Sequence, residues 1–144
     1  MEKEIEDLVS FFYEIENYQS NHYGNYNRMN LINAYDKLSD EIKKYIFPSK
    51  KRLSGLWRGC DGLSEILAIS FTSNKGYAGT FGAYNIPFNE LKSYKGLIDT
   101  EKVAKMCNAL AKHKDMPTVG DDEGEVIVIM PIWKESLDIK KYFI

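Results

Sequence analysis

Apolar side chains in the first fifty residues return at helical intervals. Ile5, Leu8, Phe12 and Ile15 form one series, and Leu31, Tyr35, Leu38, Ile42 and Tyr45 form a second. A recurrence of three to four residues puts each series on one face of a helix, so two helical regions are expected. The polar, Tyr- and Asn-rich stretch QSNHYGNYN, 19 to 27, reads as the loop between them, with Gly24 as its turn. Pro48 stops the second region, and SKKR behind it reads as a solvated basic connector.

After residue 50 the period changes. LWRG, 56 to 59, predicts a short strand ending at an arginine. Leu67, Ile69 and Phe71 alternate with Ala68, Ser70 and Thr72, the pattern of a half-buried strand. NKGYAGTF predicts a turn leading into a short helix. Thr100 is expected to cap a helix over 100 to 113 whose stripe is Val103, Cys107 and Leu110. Val126 to Met130 is an almost unbroken apolar run, which predicts a central strand. Together these elements predict an α+β fold, one domain over 1–144, with a helical part at 1–50 and a strand-bearing part at 53–132.

Composition narrows the chemistry. A chain of 144 residues is long enough to bury a core of its own. Nineteen basic against 21 acidic residues leave a net charge of -2, which is no footprint for nonspecific nucleic-acid binding. Cys60 and Cys107 lack metal-ligand spacing, and His22 and His113 have no partner in sequence that suggests a triad or a metal site. No metal is therefore expected, and two reduced thiols in a reducing compartment are. The opening MEKEIEDLV is charged, unlike a secretory signal core, and no run approaches the ~20 apolar residues of a membrane span. The expected location is the cytoplasm, with no membrane partner.

Candidate chemistry begins at DDEGEVIVIMP, 121 to 131, where four carboxylates precede the apolar strand. In an extended chain Glu123 and Glu125 share one face, about 7 Å apart along the backbone. Crowding two carboxylates raises the pKa of one, which suits a general base. Arg58 stands at a strand end, where a guanidinium forks onto phosphate or carboxylate oxygens, and Gly59 lets a ligand approach the backbone. In ISFTSN, 69 to 74, a hydroxyl of Ser70, Thr72 or Ser73 is placed to orient a carboxylate.

Arginine on one strand, hydroxyls on a second and a glutamate pair on a later one resemble the mono-ADP-ribosyltransferase family. The branch in question carries an Arg, Ser-Thr-Ser, Glu-x-Glu signature and includes bacterial toxins, vertebrate ectoenzymes and tailed-phage enzymes. LWRG resembles its aromatic-Arg-Gly strand, SFTSNKGYAGTF its hydroxyl strand and following helix, and GDDEGEVIVIMP its turn and Glu-x-Glu strand. The middle motif departs from a literal Ser-Thr-Ser. Counting back from Ala78 selects Phe71-Thr72-Ser73, whereas strand alternation pairs Ser70 with Thr72, so the orienting hydroxyl stays open among Ser70, Thr72 and Ser73.

The resemblance implies N-terminal helices beside a small split β-sandwich whose cleft binds NAD as substrate. It implies transfer of ADP-ribose to an acceptor with loss of nicotinamide. Glu125 would stabilise the oxocarbenium-like transition state and hold the ribose 2′-hydroxyl, and Glu123 would position and deprotonate the acceptor. Arg58 would bind the diphosphate, and the Gly59 backbone would approach the nicotinamide amide. Phe81, Tyr84 or Phe88 would cover the nicotinamide ring. A glutamate in the first place of Glu-x-Glu implies arginine on a protein as acceptor, with RNA or a small guanidine compound as alternatives. The tailed-phage relationship would make the cytoplasm that of a host cell. Two rival expectations are an NAD glycohydrolase, with water as acceptor, and a non-catalytic binding module of the same fold.

Overall fold

The computed structural model describes residues 2–20, 26–59, 68–80, 85–110 and 124–131. The first helix, α1 (Glu2–Ser20), follows from its stripe, which buries Leu8, Phe11, Phe12, Ile15 and Tyr18. Glu2 and Glu4 lie in its first turn, where negative charge suits the helix dipole. It runs through Gln19 and Ser20, so the expected loop begins later than the polar composition suggested. The residues 21–25 lie outside the described part.

The second helical region is two helices. Asn27 accepts the Met29 N–H at 3.0 Å and starts α2 (Arg28–Asp36), which buries Leu31, Ile32 and Tyr35. Ser39 accepts the Ile42 N–H at 3.3 Å and starts α3 (Asp40–Tyr45). Leu38 and Ile42 are buried across that break, whereas Tyr45 faces solvent, 48% exposed, and leaves the expected stripe. The basic SKKR run is solvated at Ser49, Lys50 and Lys51, as expected, but it is helical and Arg52 departs from the expectation. Ser49 caps the short helix α4 (Lys50–Leu53), and Arg52 turns inward to two carboxylates.

Among the described residues five antiparallel-paired strands follow: β1 (Trp57–Arg58), β2 (Ala68–Thr72), β3 (Ile86–Pro87), β4 (Gly96–Asp99) and β5 (Glu125–Ile129). Their order in the sheet is β3-β1-β2-β5-β4. The described strands thus make one sheet, where the expectation was a split sandwich. As expected, β5 is interior, with Val126 to Ile129 fully buried between β2 and β4. The β2 strand is covered more completely than alternation implied, since Ala68 and Thr72 are buried beside Ile69 and Phe71.

Asn74 accepts the Tyr77 N–H and opens α5 (Lys75–Gly79), the short helix expected after the hydroxyl strand. The last described helix is α6 (Thr100–Leu110), which buries Val103, Ala104 and Cys107. Its cap is Asp99, not Thr100: Asp99 Oδ1 accepts from the N–H groups of Glu101 and Lys102 at 3.1 and 3.4 Å. A carboxylate at that end serves the dipole better than a hydroxyl. One apolar core joins α1, α2, α3 and α6 to the sheet. The architecture is α+β, and no described helix is long and apolar enough to cross a membrane.

Candidate active site

Gly124 stands immediately before β5 with φ at +50°, a conformation in which a side chain is strained. A Cβ there would also come within 2.0 Å of Ser73 Oγ. Only glycine meets both conditions, so the middle residue of Glu-x-Glu is set by the backbone. The chain is not extended at this point. The alternation that would place Glu123 and Glu125 on one face therefore does not run through Gly124, and Glu123 itself lies outside the described residues. The Gly124 carbonyl accepts from Ser73 N–H at 3.1 Å and from Ser73 Oγ at 3.3 Å. Thr100 Oγ1 donates to the Glu125 carbonyl at 3.2 Å. The backbone beneath Glu125 is thus tied to the end of β2 and the start of α6.

The Glu125 carboxylate is held from two sides. Ser70 Oγ donates to Oε2 at 2.5 Å, and Gln19 Nε2 donates to Oε1 at 2.7 Å. The register explains the first contact. Thr72 lies opposite Glu125 and Ser70 opposite Ile127, so Ser70 is the diagonal neighbour of Glu125 on one face of the sheet. Among the three hydroxyls left open by the sequence, it is Ser70 that reaches the carboxylate. Thr72 Oγ1 accepts the Asn74 N–H at 3.0 Å and shapes the turn into α5. Ser73 braces Gly124.

Arg58 is 7% exposed, and its Nη1 donates to the Ser70 carbonyl at 2.9 Å. Arg58, Ser70 and Glu125 are therefore linked across three neighbouring strands, β1, β2 and β5. Gly59, buried, follows directly. Of the aromatic candidates, Phe88 stands edge-on to Phe71, centroids 5.9 Å apart, which is a packing contact. Phe81 and Tyr84 lie outside the described residues, as do Cys60, His22 and His113. No group of three or more metal-ligating side chains occurs among the described residues.

A charged cluster adjoins the mouth of β5. Arg52 Nε faces Asp99 Oδ2 at 3.4 Å, and its Nη2 donates to Glu101 Oε2 at 3.1 Å. Lys105 Nζ reaches Glu101 Oε1 at 2.9 Å. The Lys105 hydrogen bond, joined by Arg52, holds the Glu101 carboxyl below its ordinary range despite partial burial. Arg52 Nη1 lies 3.5 Å from where a Cβ on residue 124 would sit. Elsewhere burial pushes the Cys107 thiol up to about 12, so it packs as a neutral group.

Gln19 is the Glu125 partner that its polar surroundings concealed. A signal was present: it falls four residues after Ile15, on the continuation of the buried stripe. The chain matches no family model, no curated protein and no solved structure.

Proposed function

We propose that the protein transfers ADP-ribose from NAD to a nucleophilic acceptor and releases nicotinamide, on a fold of the ADP-ribosyltransferase type. The observation that supports this is the junction of Arg58, Ser70 and Glu125. Arg58 donates to the Ser70 carbonyl and the Ser70 hydroxyl donates to the Glu125 carboxylate, so an arginine, one of the three candidate hydroxyls and a glutamate from separate strands adjoin, as this reading requires.

The C1′–N bond to nicotinamide breaks and its electron pair leaves with the ring. Positive charge then builds on the ribose, as in glycoside cleavage. Glu125, oriented before the reaction, faces that charge and accepts from the ribose 2′-hydroxyl. It stabilises the transition state more than the bound substrate, which is what accelerates the step. Arg58 supplies a planar cation toward the diphosphate and Gly59 a close backbone approach. An acceptor nitrogen then bonds to C1′ and loses a proton, the role assigned to Glu123. An arginine side chain on a protein is the acceptor proposed first.

The test is incubation with labelled NAD and a cell lysate, followed by mass spectrometry of the labelled species and a parallel assay of free nicotinamide. Labelled arginine supports the proposal as stated. Labelled RNA or a small guanidine would move the acceptor. Nicotinamide release with no labelled acceptor would make the protein a glycohydrolase, and no release at all would leave a binding module.

A further inference from the structure

We infer that Gln19 is a positioning residue for Glu125, so that the last turn of α1 is part of the active site. This rests on the reading of Glu125 as the carboxylate that faces the reacting ribose. A glutamate carboxylate turns about its terminal torsion with only broad, two-fold preference. One donor, Ser70 on Oε2, fixes one oxygen and leaves the plane free to swing. The second donor, Gln19 on Oε1 at 2.7 Å, fixes the other oxygen and with it the plane.

The turn that carries Gln19 is itself held in place. Tyr18, 1% exposed, donates its hydroxyl to the Ala68 carbonyl at 3.3 Å, pinning the last turn of α1 to the first residue of β2. Its ring meets Tyr26 edge-on at 6.3 Å and lies under the Arg28 guanidinium at 5.5 Å. Tyr26 in turn donates to Glu14 Oε2, one helical turn back. Gln19 therefore projects from a braced turn. This bracing fixes the backbone from which the Gln19 side chain reaches Glu125.

The experiment measures nicotinamide release and thermal melting for Gln19→Met, which keeps length and removes the amide, and for Gln19→Glu, which keeps shape and opposes like charge to Glu125. Both are also made in the Glu125→Gln background. The expected result for Gln19→Met is a fall in kcat of about tenfold, below the ~10²-fold that a 1 Å misplacement can cause, with KM for NAD little changed. Gln19→Glu should fall further. Neither should lower the rate again in the Glu125→Gln background, since residues that act through one another are not additive. Unchanged kcat in both single variants overturns the inference, as does an equal fold-loss in the two backgrounds. A silent Gln19→Met beside an inactive Glu125→Gln overturns the positioning role alone. A wild-type protein that releases no nicotinamide overturns the ADP-ribosyl reading and this inference together.

Discussion

Two carboxylates on neighbouring strands are held in different ways. Asp99 ends β4 at 3% exposure, and its partners are the Arg52 guanidinium and the first N–H groups of α6. It locks a helix onto a sheet. Glu125 starts β5, half-buried, gripped at one oxygen by a serine hydroxyl and at the other by a glutamine amide. Those two donors come from a strand and a helix far away in the chain, and each holds one oxygen of the carboxylate. The difference separates a side chain that holds the fold from one that the fold holds.

That contrast is broken or sharpened most strongly by the two carboxylates themselves. Glu125→Gln keeps the shape and removes the charge, and loss of one electrostatic stabiliser costs about 10²–10³-fold in rate. Its melting temperature should barely move. A folded Glu125→Gln protein with wild-type nicotinamide release would defeat the functional proposal. Asp99→Ala should do the reverse. It removes a helix cap and a buried partner of Arg52, losses that together reach roughly 3 kcal/mol of stability. Denaturant titration would show this, while the rate per folded molecule should fall far less than in Glu125→Gln.

A smaller effect is expected at Gly124. Alanine there must adopt a positive φ, at about 1–2 kcal/mol, and push Ser73 Oγ aside. Both stability and kcat should drop, because Ser73 and Gly124 together set where Glu125 begins. A neutral Gly124→Ala in both assays would show that the turn adapts. The smallest effect concerns Glu101, held on the Asp99 side of the contrast by Lys105 and Arg52. Its pKa is lowered from the ordinary 4.5, so its contribution to stability is present above that pH and is lost as pH falls through the depressed value. Melting curves below about pH 4.5 should therefore decline less steeply for Glu101→Gln than for the wild type; parallel curves would remove Glu101 from the network.

What the sequence disclosed, and what it hid, follows from the range of each interaction. The interior position of β5 was legible because Val126 to Ile129 are apolar without alternation, as a strand covered on both faces must be. Arg58 and Glu125 could be singled out as candidates because each sits at a strand boundary with glycine beside it, and the structure adds that both adjoin Ser70. The orienting hydroxyl was not, since Ser70, Thr72 and Ser73 differ only in register against β5, and register is a property of two strands. Arg52 was misread because a run of three cations looks solvated until a carboxylate such as Asp99 arrives from elsewhere. Capping by Asp99 rather than Thr100 is a one-residue shift between two good capping types. Gln19 was hidden by the polar stretch it opens, although the buried stripe of α1 extends to it.

The partners of Glu125 also bear on the order in which the molecule comes into being. Thr100, Ser70 and Gln19 are 25, 55 and 106 residues from it along the chain. Contacts of long separation must first bear the entropy of closing the loop between their ends, so they form slowly and late. During synthesis α1 and β2 leave the ribosome well before residue 125 does, and Gln19 and Ser70 wait for a carboxylate not yet made. Under the proposed activity a growing chain is unable to consume NAD. On that proposal the site is complete only when β5 pairs with β2 and Glu125 meets Ser70 and Gln19, so activity would report the joining of the first helix to the last described strand.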